Sequence, residues 1–107
     1  MGNELPPPAQ AVIDAANSGD TTAFLACFAP DAVVDDWGRE FRGTGAIAGW
    51  SEQEFIGVHV TLAVTAVQSI GADVVATADV GGNGFNGPSQ FAFRLENGLV
   101  TRMTVRG

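Results

Sequence analysis

The residues best suited to chemistry lie in a short acidic stretch that ends at an aromatic side chain. Asp35 and Asp36 stand directly before Trp37, and Asp31 lies a few positions earlier. A carboxylate against an apolar wall can serve as a general acid or base, for example by moving a proton between carbons beside a ketone. Successive strand residues point to opposite faces, so only one of Asp35 and Asp36 can face a pocket. The alternative interpretation of Asp36 is a solvated aspartate that caps the turn at Gly38.

His59 is the only histidine in the chain, and it has two interpretations. It could be a surface or dimer-face residue on the polar side of a strand, or a proton shuttle paired with Asp36 or Asp79. One histidine cannot supply a conventional multi-histidine zinc site, so we predict no metal site. The sequence implies no cofactor, and we predict none. We expect Asp79 to pair across the sheet with Arg94 or Arg102.

Two further motifs carry little chemistry of their own. Cys27 is the single cysteine and lies in an apolar stretch, so it cannot form an internal disulfide and is expected to be a buried structural thiol. The glycine-rich segment 81–87 precedes no predicted helix and has no lysine or serine. It is therefore not a phosphate-binding loop, and we interpret it as a rim between two strands.

Length and charge exclude several classes of partner. The chain has 107 residues, enough for one domain, with 46% hydrophobic and 16% charged residues. This composition argues against disorder and favours apolar surface hidden in a pocket or a dimer interface. The net charge is −7, and the cations are five arginines. We therefore predict no binding to nucleic acid or to an anionic membrane surface. The N-terminus lacks the features of a signal peptide, and the predicted location is the cytoplasm.

The periodicity of apolar residues predicts helices in the first half and strands in the second. Residues 1–7 are interpreted as a flexible leader, followed by a single domain over 8–107. Helices are predicted from Pro8 to about residue 17, over 21–28 and over 46–55. Strands are predicted over 32–37, 39–42, 58–70, 74–80, 89–95 and 99–106. Helices followed by a run of strands indicate an α+β fold with a largely antiparallel sheet.

Four local segments, in this order, resemble one superfamily. They are the turn Asn17–Asp20, the stretch Phe28–Asp36 with the pattern F-A-x-D-A-x-x-x-D, the segment Phe41–Ile47 with G-x-x-A-I, and the closing hairpin Phe93–Val100. Together they resemble the nuclear transport factor 2-like superfamily, which includes SnoaL-like polyketide cyclases and ketosteroid isomerases. The resemblance covers nearly the whole chain.

The resemblance implies a fold, a pocket and a dimer. The fold is a cystatin-like cone, in which three helices pack on the concave face of a curved antiparallel or mixed sheet. A small hydrophobic molecule would bind in the pocket, and two copies would associate through the outer sheet face. Asp36 falls at the position of the isomerase general base, and His59 is the second candidate catalytic residue. The predicted ligand-binding residues are Val12, Phe28, Trp37, Trp50, Phe55, Phe91 and Phe93.

The chain departs from the isomerase pattern at both oxyanion donors. It contains no tyrosine, and the positions of the family's tyrosine and late-strand aspartic acid correspond to Val12 and Phe91. Two functions therefore stay open. One is an isomerase- or cyclase-type enzyme that uses Asp36 on a steroid- or polyketide-like carbonyl compound. The other is a non-catalytic ligand-binding or dimeric interaction module of the same fold. The replacement donors considered are His59, Asn83, Asn86, Gln90 and the two tryptophan indoles.

Overall fold

Two short helices begin the chain, and local signals set their ends. The computed structural model describes residues 4–107. Helix α1, Pro7–Ser18, has a proline in its first turn, where a missing N–H costs nothing, and it ends at Gly19, whose φ of +68° suits glycine. The Asp20 carboxylate accepts a hydrogen bond from the Ala23 N–H and caps helix α2, Thr21–Ala26. This turn agrees with the prediction.

Six strands form one mixed sheet. They are β1 Phe28–Asp36, β2 Arg39–Arg42, β3 Thr61–Ile70, β4 Asp73–Gly81, β5 Gly87–Glu96 and β6 Leu99–Arg106. Their order across the sheet is β2-β1-β6-β5-β4-β3. The last four strands form the predicted antiparallel meander. The early hairpin adds to it through a parallel pairing of β1 with β6, which places the acidic end of β1 beside the end of the chain.

Helix α3, Thr44–Glu54, connects the early hairpin to the meander, and it is followed by a 3-10 turn, Ile56–Val58. The alternation of residues 58–70 predicted a strand from Val58. The structure instead begins β3 at Thr61, because the chain must first turn back from α3, and His59 takes a left-handed φ of +58° in that turn. The period-two pattern alone could not reveal this turn.

A β-bulge in β3 corrects a second detail of the prediction. Alternation placed Ala66 on the same face as Leu62. The pairing with β4 shifts between Val64 and Ala66, so that Ala66 lies opposite Thr77 and Val67 lies opposite Ala76. One extra residue in a strand moves every later side chain to the other face.

The core lies between the helices and the concave face of the sheet. Its largest fully buried side chains include Phe24, Phe91, Phe93, Ile47 and Met103. Leu5 is also buried, and α1 begins at Pro7, so part of the predicted leader packs on the domain. Residues 1–3 of that leader lie outside the described residues. Within residues 4–107, no helix is long and apolar enough to span a membrane.

Candidate active site

A cavity of about 360 Å³ opens between α3 and the sheet. Ligand pockets in proteins begin at roughly 300 Å³, so this volume is at the small end of the range. Most of its lining is apolar and comes from Trp37, Trp50, Phe55, Val58, Val60, Val80, Phe85, Phe91 and Val105. The polar side chains of the lining are Asp36, Arg39, Gln53, Glu54 and Ser89.

Asp36 faces this cavity from the last position of β1. Its side chain is 15% exposed. The carboxylate oxygen Oδ2 accepts a hydrogen bond from the Trp50 indole Nε1–H at 3.0 Å and another from Arg39 Nη2 at 2.5 Å. Val34, two positions earlier on the same face, is fully buried in the core. The alternation of β1 therefore turns Asp36 toward the concave side of the sheet.

Arg39 joins Asp36 to a second carboxylate at the mouth of the cavity. Its guanidinium donates to Glu54 through Nη1 at 2.9 Å and Nη2 at 2.6 Å, while its own side chain is 53% exposed. The Arg39 guanidinium lowers the pKa of Glu54. Glu54, followed by Asp36, raises the pKa of Arg39 above its ordinary value. One cation and two carboxylates thus stand side by side at this mouth.

The sequence analysis did not predict this cluster, although one of its two ion pairs could have been predicted. Asp36 and Arg39 are direct cross-strand partners across the two-residue turn between β1 and β2, and opposite charges at such positions commonly pair. Glu54 lies 15 residues further along, at the end of α3. Only the tertiary packing of α3 brings it to Arg39, so no local spacing indicates the contact.

Asp35 occupies the opposite face of β1, as the alternation predicted. It is 7% exposed and accepts hydrogen bonds from Arg106 at 3.0 Å, from Arg102 at 2.8 Å and from the Gly38 N–H at 2.8 Å. Arg102 also pairs with Glu40. The pKa of Asp35 is held below its ordinary value, chiefly by the hydrogen bond from Arg106. Asp35 is therefore a structural carboxylate.

The expected pairing of Asp79 is not formed. Strand register places Arg94 opposite Asp73, and the two form an ion pair at 2.9 Å. Arg102 is engaged by Asp35 and Glu40, toward the β1–β2 edge of the sheet. Asp79 itself is exposed. Its direct neighbours are Pro88 on β5 and Ala63 on β3, and neither offers a charge to pair with.

The predicted site residues divide into two groups. Trp37, Trp50, Phe55 and Phe91 line the cavity together with Asp36. The three other predicted ligand-binding residues, Val12, Phe28 and Phe93, are buried in the core and do not line it. His59 also lies outside the lining; it is exposed at the end of the 3-10 turn.

Ser89 and Phe85 line the cavity without having been predicted. Ser89 is 4% exposed and stands two positions before Phe91 on the same face of β5. Period-two counting backward from Phe91 could have identified it. Its hydroxyl is a hydrogen-bond donor on an otherwise apolar wall. Phe85 lies on the loop between β4 and β5, where no periodicity applies.

Within the described residues, no group of three or more histidine, cysteine, aspartate or glutamate side chains could hold a metal ion. The polar groups that line the cavity are instead two carboxylates, an indole N–H, a guanidinium, an amide and a hydroxyl. These groups can transfer a proton and donate hydrogen bonds to a ligand oxygen.

Comparison with known proteins identifies a family and a set of similar folds. Residues 9–103 match the family model of the SnoaL-like domain. A provisionally assigned polyketide cyclase from Sinorhizobium meliloti superposes with a TM-score of 0.83 at 26% identity, covering 95% of each chain. The Δ5-3-ketosteroid isomerase from a Mycobacterium species gives 0.76 at 21% identity, covering 94% of this chain and 90% of the other.

A computationally designed 17-OHP binder is also similar, with a TM-score of 0.78 at 18% identity, covering 94% of this chain and 88% of the designed one. No curated protein matches the chain. The superpositions on the isomerase and on the designed binder show a shared fold.

Proposed function

We propose that this chain, which belongs to the SnoaL-like domain family, binds a small hydrophobic carbonyl compound of the steroid or polyketide kind and moves a proton on it. The observation that carries this proposal is the position of Asp36. Its carboxylate lies on the wall of a mostly apolar cavity and is oriented by the Trp50 indole. A positioned carboxylate in such a cavity is suited to general acid–base catalysis.

The arrangement around Asp36 supports a shuttle of one proton. In residues 4–107, both hydrogen bonds that the carboxylate accepts end on Oδ2, which leaves Oδ1 to take a proton from the carbon beside the ligand carbonyl. The Arg39 guanidinium holds Oδ2 through a hydrogen bond at 2.5 Å and so helps to orient the carboxylate. Asp36, whose side chain is 15% exposed, would exchange this proton with solvent and return a proton to carbon, so that the substrate is isomerised without any net gain or loss of atoms.

The carbonyl oxygen gains negative charge during this transfer and needs a donor. The isomerase donors have no counterpart here, since the chain has no tyrosine and Phe91 occupies the late-strand position. Ser89 is the replacement that we propose. Its hydroxyl is on the wall of the same cavity as Asp36 and belongs to a side chain that is almost fully buried. A donor that is shielded from water stabilises a developing oxyanion more strongly.

The second candidate function is ligand binding without turnover. The missing tyrosine and the engagement of Asp36 by Arg39 favour it. A designed protein of this fold is a 17-OHP binder, which is consistent with a purely binding role for such a cavity.

Deuterium exchange separates the two functions without knowledge of the natural substrate. The protein is incubated in D₂O with 5-androstene-3,17-dione or with α-tetralone, and deuterium beside the carbonyl is measured by mass spectrometry. We expect exchange above the buffer rate, and a loss of about 10²- to 10⁴-fold in Asp36→Asn, since a positioned base contributes that much. Asp31→Asn is the matched control, because Asp31 is an exposed carboxylate of the same strand that does not line the cavity.

The possible results assign the function. Equal exchange in wild type and Asp36→Asn would show that Asp36 is not the base. Binding of either ketone with no exchange in the wild type would support the non-catalytic alternative.

A further inference from the structure

Two large aromatic side chains are exposed at the mouth of the cavity. Trp37 is 63% exposed and Phe85 is 59% exposed, and both line the cavity. Every other aromatic side chain in residues 4–107 is buried or half-buried. Exposed apolar surface concentrated at one opening commonly marks a ligand-binding site.

Trp37 is held in place by the hairpin turn on which it lies. Its own N–H donates to the Val105 carbonyl at 3.2 Å, and the next N–H, of Gly38, donates to Asp35 Oδ1 at 2.8 Å. The indole lies against the backbone of Gly107, where an added Cβ would come within 2.6 Å of Cζ2. The exposure of this ring is therefore a property of an anchored turn.

The loop that carries Phe85 is anchored at its stem. The Asn83 N–H donates to the Val58 carbonyl at 2.8 Å. Gly82 has a φ of +121°, and a Cβ there would lie 2.6 Å from the His59 carbonyl oxygen. Only glycine allows the two backbones to approach this closely. The 3-10 turn that includes Val58 and leads to His59 thus supports one end of the loop.

The tip of the same loop is closed by a side chain. Asn86 Nδ2 donates to the carbonyls of Gly82 at 2.9 Å and Gly84 at 3.1 Å. These bonds fold residues 82–86 into a fixed tip with Phe85 inside it. The loop therefore presents a large aromatic ring to water from an ordered backbone.

We propose that Trp37 and Phe85 form an aromatic clamp that selects flat, fused-ring, uncharged ligands. This inference rests on the proposed function and, of its two kinds of ligand, favours the flat polyketide over the puckered steroid. A cavity of about 360 Å³ can enclose only part of a multi-ring molecule, so the remainder extends through the mouth between these two side chains. Aromatic rings stack favourably on flat ring systems and less well on puckered ones. A charged ligand gains little electrostatic binding free energy at the mouth, because Arg39 already pairs with both carboxylates there.

The clamp predicts a preference that can be measured with two probes of one skeleton. The probes are 9-phenanthrol, which is flat, and perhydro-9-phenanthrol, its saturated and puckered counterpart. Dissociation constants are measured by isothermal titration calorimetry on wild type, Trp37→Leu and Phe85→Leu, since leucine keeps apolar bulk and removes the ring. We expect each substitution to weaken 9-phenanthrol binding about fivefold and to change binding of the saturated probe less than twofold.

Ile70→Ala is the matched control, because Ile70 is 55% exposed and does not line the cavity. Its two dissociation constants should equal those of the wild type. In the wild type, ¹⁵N-labelled indole signals should report contact, with the Trp37 signal, assigned through Trp37→Leu, shifting on addition of 9-phenanthrol. The clamp is wrong if 9-phenanthrol does not bind, or if removing either ring leaves its dissociation constant unchanged. It is also wrong if the substitutions weaken the binding of both probes equally. These readouts concern binding alone, so they are independent of whether Asp36→Asn abolishes deuterium exchange.

Discussion

At the scale of single residues, two adjacent aspartates have opposite surroundings. Asp36 lies on a cavity wall with an indole donor, whereas Asp35 is enclosed by two arginines on the outer face of the sheet. The pleat of β1 alone produces this separation. It gives the protein a carboxylate available to a ligand directly beside one that is committed to structure.

The proposed donor role of Ser89 leads to a prediction about rate. Ser89→Ala should lower deuterium exchange on 5-androstene-3,17-dione about 10²-fold, since loss of one oxyanion donor typically costs 10²- to 10³-fold. Affinity for the ketone should change less, because the donor acts mainly on charge that develops during the reaction. Exchange is followed by mass spectrometry and affinity by calorimetry.

Ser69→Ala is the control for this substitution, because Ser69 is exposed on β3 and does not line the cavity. An exchange rate in Ser89→Ala equal to that of the wild type would remove Ser89 from the mechanism. A parallel fall in rate and affinity would identify it as a general binding contact.

At the level of residues, the sequence predicted the site in part. Asp36, Trp37 and Trp50 follow from alternation, from the acidic stretch and from the resemblance. The contact of Arg39 with Glu54 depends on how α3 packs on the hairpin, and no pattern of apolar residues encodes that packing. Phe93 was predicted to bind the ligand but is buried in the core. An aromatic residue on the concave face has the same sequence pattern whether it lies in the core or in the cavity.

At the scale of elements, the pairing of β1 with β6 on the outer face of the sheet holds the hairpin turn that carries Trp37 to the mouth of the cavity. Asp35 on β1 binds Arg102 and Arg106 on β6 and also accepts the Gly38 N–H of the hairpin turn. The two strands are parallel neighbours that are distant in sequence. One buried carboxylate thus fixes both the strand pairing and the turn that presents Trp37.

Asp35→Asn should therefore lower stability and change its dependence on pH. The native pKa of Asp35 is depressed, so the unfolded state binds more protons as the pH falls. The stabilisation is then complete above the unfolded pKa of about 3.9 and is lost on acidification toward the native value. We expect a loss of about 2 kcal/mol at pH 7, below the usual 3–5 kcal/mol for a broken buried pair because both arginines are partly exposed.

Urea unfolding of both proteins from pH 7 down to pH 3 measures this difference. The two stability curves should begin to converge below about pH 4, where the unfolded state takes up a proton on Asp35 that the native state does not. Asp31→Asn, on the same strand but exposed, should follow the wild type throughout. Parallel curves for wild type and Asp35→Asn would show that the pairing with the arginines does not contribute as proposed.

The ends of the helices and strands show which parts of the fold are determined by nearby residues. Gly19 and Asp20 set helix ends through interactions within a few residues, and both were predicted. The start of α1 was predicted at Pro8, and the structure places it at Pro7. The bulge of β3 and the 3-10 turn before it were not predicted, because they accommodate the curvature of the sheet and the end of α3. Strand β1 begins at Phe28, before the predicted residue 32, since pairing with Val100 of β6 extends it.

At the scale of the whole molecule, the outer face of the sheet carries a row of short, uncharged side chains. Strand register places Val75 opposite Ala92, and Ala92 opposite Thr104. All three are half-buried. The next row along the strands is charged, because Asp73 pairs with Arg94, and Arg102, which lies opposite Arg94, pairs with Glu40. A weakly polar patch bordered by charged residues is suited to contact with another protein surface.

We propose that two copies of the chain associate through this face, as the resemblance to the superfamily implies. Ala92 lies within the row, so a charge at this position in both copies would meet a like charge or a desolvated surface. Light scattering after size-exclusion chromatography should give the mass of a dimer for the wild type and 11.0 kDa, the mass of one chain, for Ala92→Asp. Ala46→Asp is the control, because Ala46 is exposed on α3, and this variant should remain dimeric.

Circular dichroism must show that Ala92→Asp is folded. A wild type that elutes as a monomer would overturn the dimer, and a folded Ala92→Asp that stays dimeric would place the interface elsewhere. The cavity opens on the concave side, so ligand affinity should be the same in either state.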